Sequence, residues 1–428
     1  MNSGMPNQLS QRQGELSRVL VFSHMFPNAA VPIGGTFVWE QVKALRKLGV
    51  KVFLVSPTPW VVPVFGRFVA SLRRFRVVPR QVDLEGCVVE YPKVLTFPTK
   101  RTYIESFLYY LGCRNLIRKL VKEHKIDIIH AHMMSPDGLA AIRIGREMKI
   151  PVVCTVHGSD IRIYPRRSRA MLWLTKWGLK YADHVIAVSA ELRQQALSIA
   201  PARVSVIRNG GDANNFRPQS KMDARLKLQL PREAKIILFV GHLRPVKGIE
   251  FLLHALAQLD DDTRLWLVGE GESKDALWLK ADELGVLHRC HFVGTQPHTQ
   301  IPLWLSAADC LVLPSLSEGL PTILIESMFC KTPIVATKVG GVPEIVEDER
   351  TGLLVDNENP SQLADAIRRL LSDTDFAKCL ADQGYAEAIG RLTWDANAEL
   401  TVTVYKQVLQ QRLRADRQPS NYPASAQE

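Results

Sequence analysis

The stretch SEGLPTILIES, residues 317–327, places two glutamates, Glu318 and Glu326, eight positions apart around a Gly-Leu-Pro sequence. Pro321 suits the first turn of a helix, where its missing N–H costs nothing. The apolar Ile323, Leu324, Ile325 and Met328 then continue as a buried helical segment. On this reading Glu318 sits in the loop at the helix mouth and Glu326 about one and a half turns in. Both carboxylates can then face one cleft, beside a helix N-terminus that attracts anions. The competing reading is a surface loop acid and a solvated helical glutamate. Spacing alone does not separate the two, so the rest of the chain has to.

Around this stretch the second half of the chain alternates strand and helix. AKIILFVGHLRPVKG is a strand and loop, GIEFLLHALAQL a helix, and TRLWLVGEG, CHFVG, DCLVLPS and TPIVATKVGG are further strands with their loops. The first half shows the same order: RVLVFSHMFP, the amphipathic TFVWEQVKALRKLG, KVFLVSP, IDIIHAH, GLAAIRIGREMK, IPVVCTVHG, ADHVIAVS and VSVIRNG. Continuous apolar strands alternating with helices indicate parallel sheets covered on both faces. The fold class is therefore α/β, with two doubly wound domains facing a cleft and ligands at the carboxyl ends of strands. The expected organisation is a disordered leader over 1–17, a first domain over 18–210 and a polar connection over 211–233. A second domain follows over 234–390, then a crossing helix over 391–414 and a disordered tail over 415–428.

A chain of 428 residues has room for two such cores. No apolar run reaches the roughly 18 residues of a membrane span, and the polar N-terminus lacks a signal-peptide core. The seven cysteines form no CxxC pair and most lie in apolar surroundings, which suits reduced thiols in the cytoplasm. The net charge of +11 is asymmetric: residues 1–210 carry 31 Lys and Arg against 13 Asp and Glu, and the remainder 23 against 30. A basic first domain points to an anionic partner. No nucleic-acid-binding module is present, so a membrane surface or a phosphate-bearing acceptor is favoured over nucleic acid. WVVPVFGRFVASLRRFRVVPR (60–80) and IRIYPRRSRAMLWLTKWGLK (161–180) carry five and six basic residues and no acid. Such basic, aromatic segments suit an anionic inner leaflet, with an ordinary solvated face as the alternative.

The loops after strands hold the chemistry. Gly34 and Gly35 in VPIGGTFVWE let backbone N–H groups approach a ligand, although a plain tight turn fits them equally. His157-Gly158-Ser159-Asp160 follows a buried strand directly and reads as functional, whereas His130 and His132 are left between structure and function. After the strand ending at Gly241, Arg244 and Lys247 place two cations on one strand-to-helix loop, as a diphosphate requires. Gly269-Glu270-Gly271 can approach a nucleotide, but GEGESK is not the dinucleotide pattern GxGxxG, which removes the best sign of a nicotinamide enzyme. Asp260-Asp261-Asp262 and Asp373-Thr374-Asp375 read as solvated turns, and no His/Cys cluster has zinc spacing. No metal is expected.

In order, GGTFVWEQ, HAH, HGSD, VSVIRNGGDANNF, VGHLRPVKG, LVGEG, ADCLVLPSLSEGLPTILIES and VGGVPEIVEDERTGLLV form a set. The chain resembles the retaining GT-B glycosyltransferases of glycosyltransferase family 4 over about residues 18 to 410, closest in look to members building bacterial cell-surface polysaccharide of the teichuronic acid type. The resemblance implies two Rossmann-like domains and a hexose transferred from a nucleotide-diphosphate sugar, UDP- or GDP-linked, to an acceptor hydroxyl. That acceptor would be a glycan or lipid-linked precursor, met in the cytoplasm or on the inner membrane face. It implies that Glu318 contacts the donor sugar, that Gly319 and Leu320 offer N–H groups, and that Glu326 accepts from the ribose. It also implies that Lys247 pairs with the diphosphate, Gly35 closes over it and His157 reaches the sugar. His242 stands where the family usually has arginine; Arg244 is the candidate to supply that charge. An epimerase on the same fold and a silent sugar-nucleotide-binding subunit are the alternatives.

Overall fold

The structure is a computed structural model and describes residues 18–32, 34–60, 73–96 and 102–417. The expected leader, residues 61–72 of the basic stretch and residues 418–428 of the expected tail lie outside the described residues. The first ten strands are β1 (Arg18–Phe22), β2 (Lys51–Val55), β3 (Thr58–Trp60), β4 (Gln81–Leu84), β5 (Cys87–Glu90), β6 (Lys93–Leu95), β7 (Ile128–His132), β8 (Val152–Val156), β9 (His184–Ala187) and β10 (Val204–Val206). Eight of them form one sheet in the order β10-β9-β8-β7-β1-β2-β5-β4, while β3 pairs with β6. Only the edge pair β4 and β5 is antiparallel. The second sheet joins β11 (Lys235–Val240), β12 (Thr263–Val268), β13 (Cys290–Gly294), β14 (Cys310–Leu313), β15 (Ile334–Thr337) and β16 (Leu353–Val355). Its order is β13-β12-β11-β14-β15-β16 and it is parallel throughout.

Both sheets are buried on their two faces, which is why their strands read as unbroken apolar runs. Val19, Leu20, Val21 and Phe22 of β1 and Ile236 to Phe239 of β11 are all at most 1% exposed. In each sheet the chain winds to one side of its first strand and then returns to the other. The second sheet switches between β11 and β14, and the first between β1 and β7. At such a switch the loops leave in opposite directions and open a crevice at the carboxyl ends.

The last helix, Trp394–Arg417, leaves the second domain and packs on the first. Trp394, Val404, Tyr405 and Val408 share a core with Val38, Val42 and Leu45 of the helix Thr36–Lys47. Gln41 Nε2 donates to Asn397 Oδ1 at 2.7 Å across that contact. The stretch 211–233, expected as a polar connection, contains the helix Lys221–Lys227. Arg225 from it reaches Asp309 at 2.8 Å, so the segment is docked on the second domain. Pro321 sits one residue earlier than expected: it is the N-cap of the helix Thr322–Phe329, not part of its first turn.

Candidate active site

The loops after β11 and β14 meet at the switch of the second sheet. The first ends in a short 3-10 turn, Pro245–Lys247, closed by Gly248 at φ 60°. A Cβ at Gly248 would lie 2.1 Å from the carbonyl oxygen of Pro314, so only glycine lets the two loops approach this closely. The approach brings Lys247 Nζ to 2.6 Å from Glu318 Oε1, which also accepts from Ser315 Oγ at 2.6 Å. Glu318 is 8% exposed. The cation and the hydroxyl that meet it offset the cost of burying this carboxyl group.

Beyond Glu318 the loop turns into the helix Thr322–Phe329. Among the described residues the backbone N–H groups of Gly319 and Leu320 have no protein acceptor. Glu326 lies one turn into the helix, also 8% exposed, and pairs through Oε1 with His298 Nε2 at 3.0 Å. Burial pushes the His298 imidazole down, but the hydrogen bond and charge of Glu326, with Glu40 and Asp212 nearby, outweigh it and hold His298 above its usual value. Arg244 is exposed at the start of the 3-10 turn beside His242. Burial, then the Arg244 and Lys247 charges, lower the His242 value. Gly241 ends β11 against the loop holding Glu270; a Cβ at Gly269 would meet the Gly241 carbonyl oxygen at 1.9 Å. Glu270 is exposed and pairs with Lys274 at 3.0 Å.

The first domain closes on this loop from the other side. A Cβ at Gly319 would fall 2.0 Å from the carbonyl oxygen of His157, so HGSD lies directly on EGLP. Arg162 donates to the carbonyl of Glu318 and is itself held by Glu191 at 2.8 Å and Gln195 at 3.0 Å. Asp160, fully buried, accepts from the N–H groups of His157, Gly158 and Met134 and so fixes the HGSD turn. Gly35 is the N-cap of the helix Thr36–Lys47, and Gly34 precedes it against Val31. Phe37 in the first turn of that helix packs 4.7 Å from the His157 ring.

Two family models match the two halves: Glycosyltransferase Family 4 over residues 34–215 and Glycosyl transferases group 1 over 220–387. The chain is 30% identical over 295 residues to the uncharacterized glycosyltransferase MJ1607 of Methanocaldococcus jannaschii, covering 66% of this chain and 75% of that protein. This chain belongs to glycosyltransferase family 4. It is also similar to the putative teichuronic acid biosynthesis glycosyltransferase TuaC of Bacillus subtilis, 29% identical over 396 residues, 91% of this chain and 98% of TuaC. Among solved structures, sucrose-phosphate synthase of Thermosynechococcus elongatus superposes with a TM-score of 0.77 at 22% identity, over 92% of this chain and 100% of that one. Anabaena Alr3699/HepE in complex with UDP superposes at 0.70 and 21% identity, over 91% and 100%. These likenesses make the fold of the transferase GT-B.

Several partners within the site of the transferase carried no local sequence signal. His298 lies in a short turn, His298–Gln300, ahead of the helix Ile301–Ala307, and meets Glu326 only through the fold. Ser315 and Arg162 are likewise brought to Glu318 by the loops that hold them. Glu344 crosses between domains: its Oε1 accepts from the Ala190 and Glu191 N–H groups at 2.7 and 3.2 Å, its Oε2 from Arg208 at 2.9 Å. It thereby caps the helix Ala190–Ile199, whose N-terminus favours a negative charge. His24, after β1, pairs with the buried Asp137 at 2.6 Å at the switch of the first sheet. The aspartate runs expected to be turns are structural. Asp260 and Asp262 pair with Lys235 at 3.3 and 3.0 Å, and Asp373 caps the helix Thr374–Arg391.

Proposed function

We propose that the transferase moves a hexose from a UDP- or GDP-linked donor to a hydroxyl of a glycan or lipid-linked acceptor, with retention at the anomeric carbon. The observation that carries this reading is the Lys247–Glu318–Ser315 cluster at the β11/β14 switch, with Glu326 one helical turn away. Glu318 faces the sugar, Glu326 the ribose, and the Gly319 and Leu320 N–H groups lie between them. As the sugar becomes oxocarbenium-like, charge builds on the leaving diphosphate. Lys247, Arg244 and the helix mouth offset it in a cleft closed against water, without a metal ion. Support comes from Alr3699/HepE, solved with UDP and with UDP-glucose on the same fold.

Calorimetric titration of UDP, GDP and ADP into wild type and Glu326→Ala tests the reading. One nucleotide is expected to bind and to weaken in the variant; binding of none, or equal binding to both proteins, overturns it. An epimerase on this fold would alter the donor sugar without acceptor, which product analysis would reveal.

The reading extends to an anionic membrane face presenting the acceptor. In the helix Arg169–Tyr181 and the turn before it, Trp173 is 62% and Ile163 47% exposed. Around them Arg166, Arg167, Arg169, Lys176 and Lys180 are exposed. No described helix is long and apolar enough to cross a membrane, so attachment would be peripheral. Co-sedimentation with anionic against neutral vesicles decides: equal recovery ends this part of the proposal.

A further inference from the structure

Three histidines form a stack at the carboxyl ends of β7 and β8. His130 and His132 lie 4.5 Å apart between ring centroids, and His132 and His157 5.4 Å, both nearly parallel. His130 is fully engaged: Nδ1 meets the Tyr405 hydroxyl at 2.6 Å and Nε2 meets Thr155 Oγ1 at 2.7 Å. His132 Nδ1 lies 3.2 Å from His157 Nε2. Its other nitrogen, Nε2, is buried without a partner. The crevice it lines with Gln41, Asn209, Trp394 and Asn397 is too narrow to admit a water molecule.

This arrangement determines where the protons sit. One of the two facing nitrogens must donate and the other accept, because a neutral imidazole has one of each. If His132 carried its proton on Nε2, a buried N–H would face a dry crevice in which no acceptor, the unpaired Gln41 Oε1 included, stands in hydrogen-bonding geometry to it, and orphaned buried N–H groups are rare. The proton therefore belongs on His132 Nδ1, which donates to His157 Nε2. That places the His157 proton on Nδ1, on a half-buried side chain whose own backbone carbonyl lies against the Gly319 loop. Burial pushes His157 down to about 3 and His132 well below its usual value, so neither ring gains a second proton near neutrality.

We propose that His132 is a positioning residue that fixes His157 as the neutral Nδ1–H tautomer, aimed at an oxygen of the bound donor. The donor half of this proposal rests on the nucleotide-sugar reading above. An Nδ1–H reads a lone pair, which a sugar hydroxyl and a phosphate oxygen both offer. The catalytic cleft therefore receives a fixed donor from the first domain, set by a residue that does not touch the substrate.

Long-range 1H–15N spectra of histidine-labelled protein at pH 7.5 test the tautomer directly, with His157→Gln assigning its signals. Nδ1–H is expected for both rings; an Nε2–H His157 overturns the proposal whatever the protein binds. His132→Asn keeps an N–H near the Nδ1 position, and His132→Phe removes it. In the phenylalanine variant His157 is expected to become a tautomer mixture. UDP-glucose affinity should then fall about tenfold, the worth of one hydrogen bond, and the asparagine variant should restore both. A loss confined to UDP-glucose assigns the oxygen to the sugar, and a loss shared with UDP assigns it to the diphosphate. If wild type binds UDP-glucose and His132→Phe leaves both affinities unchanged, the positioning role is wrong. Where the calorimetry finds GDP bound instead, GDP and a GDP-hexose replace the uridine pair; if wild type binds no nucleotide, the donor reading fails and with it the aim at a donor oxygen, while the spectra still decide the tautomer.

Discussion

The two walls of the cleft solve the same problem with opposite chemistry. The second domain lines its switch with charges in pairs, Lys247 with Glu318 and His298 with Glu326. The first domain, beside Arg162 at the Glu318 carbonyl, meets it with aromatic rings that burial keeps neutral, His130, His132 and His157. A paired group can exchange its partner for a ligand. A neutral stack cannot, but it holds a proton at a fixed atom. On the proposed reading the charged wall meets the donor's phosphates, and the neutral wall orients a group without competing for that charge.

The sharpest break of this contrast is Lys247→Ala. It should cost turnover about a hundredfold, roughly 3 kcal/mol of transition-state stabilisation, with the fold retained. Steady-state rates beside circular dichroism check this, and near-normal turnover would remove Lys247 from the charged wall. The neutral wall makes an acid-stability prediction. His130 and His157 have folded values near 3, below their unfolded value of about 6.5. Depressed histidines bind fewer protons when folded, so stability is complete above the unfolded value and drains as pH falls below it. Each should contribute about 1.4 kcal/mol per pH unit between pH 6 and 5. Denaturant titrations should show His157→Gln losing that increment of slope; an unchanged slope would mean the ring already titrates in the folded protein.

His298 should behave in the opposite sense. Its folded value is raised, so its pairing with Glu326 contributes fully below about pH 6.5 and fades as pH rises through the folded value. Urea unfolding should find His298→Gln about 1 kcal/mol less stable at pH 6.0 and closer to wild type at pH 8.5. A penalty that grows with pH would reverse the assignment. The smallest expected effect is that of a chelator. If Lys247, Arg244 and the helix mouth meet the diphosphate charge alone, a metal chelator should leave turnover unchanged, and loss restored by a divalent ion would end that account.

The charged wall was largely legible in the sequence. Glu318, Glu326 and Lys247 each follow or enter an element whose apolar run marks its end, so the strand–loop grammar places them at one crevice before any contact is known. Their partners were not legible. His298 and Ser315 are ordinary residues of short turns, and only the β11/β14 switch brings them to the glutamates. His132 was left undecided because alternation along a strand says which face a side chain takes, not which nitrogen bears its proton. The interdomain contacts of Arg162 and Glu344 span about 155 positions, a range at which local periodicity carries no information. The docked helix Lys221–Lys227 was missed because its seven polar-rich residues resemble a connection.

The last helix carries a consequence for how the protein comes into being. Tyr405 is fully buried and sits with Trp394, Ala398, Val404 and Val408 in a core whose other buried members all precede residue 210. A chain emerging from the ribosome exposes its first half long before residue 405 exists, so that half waits with one apolar face bare while the second domain is synthesised. A chain ended at residue 390 should therefore bind a hydrophobic dye through Val38, Val42 and Leu45 and stay prone to aggregation. Supplying residues 391–417 as a separate peptide should quench the dye, and a quiet truncated chain would show that the first half completes itself alone.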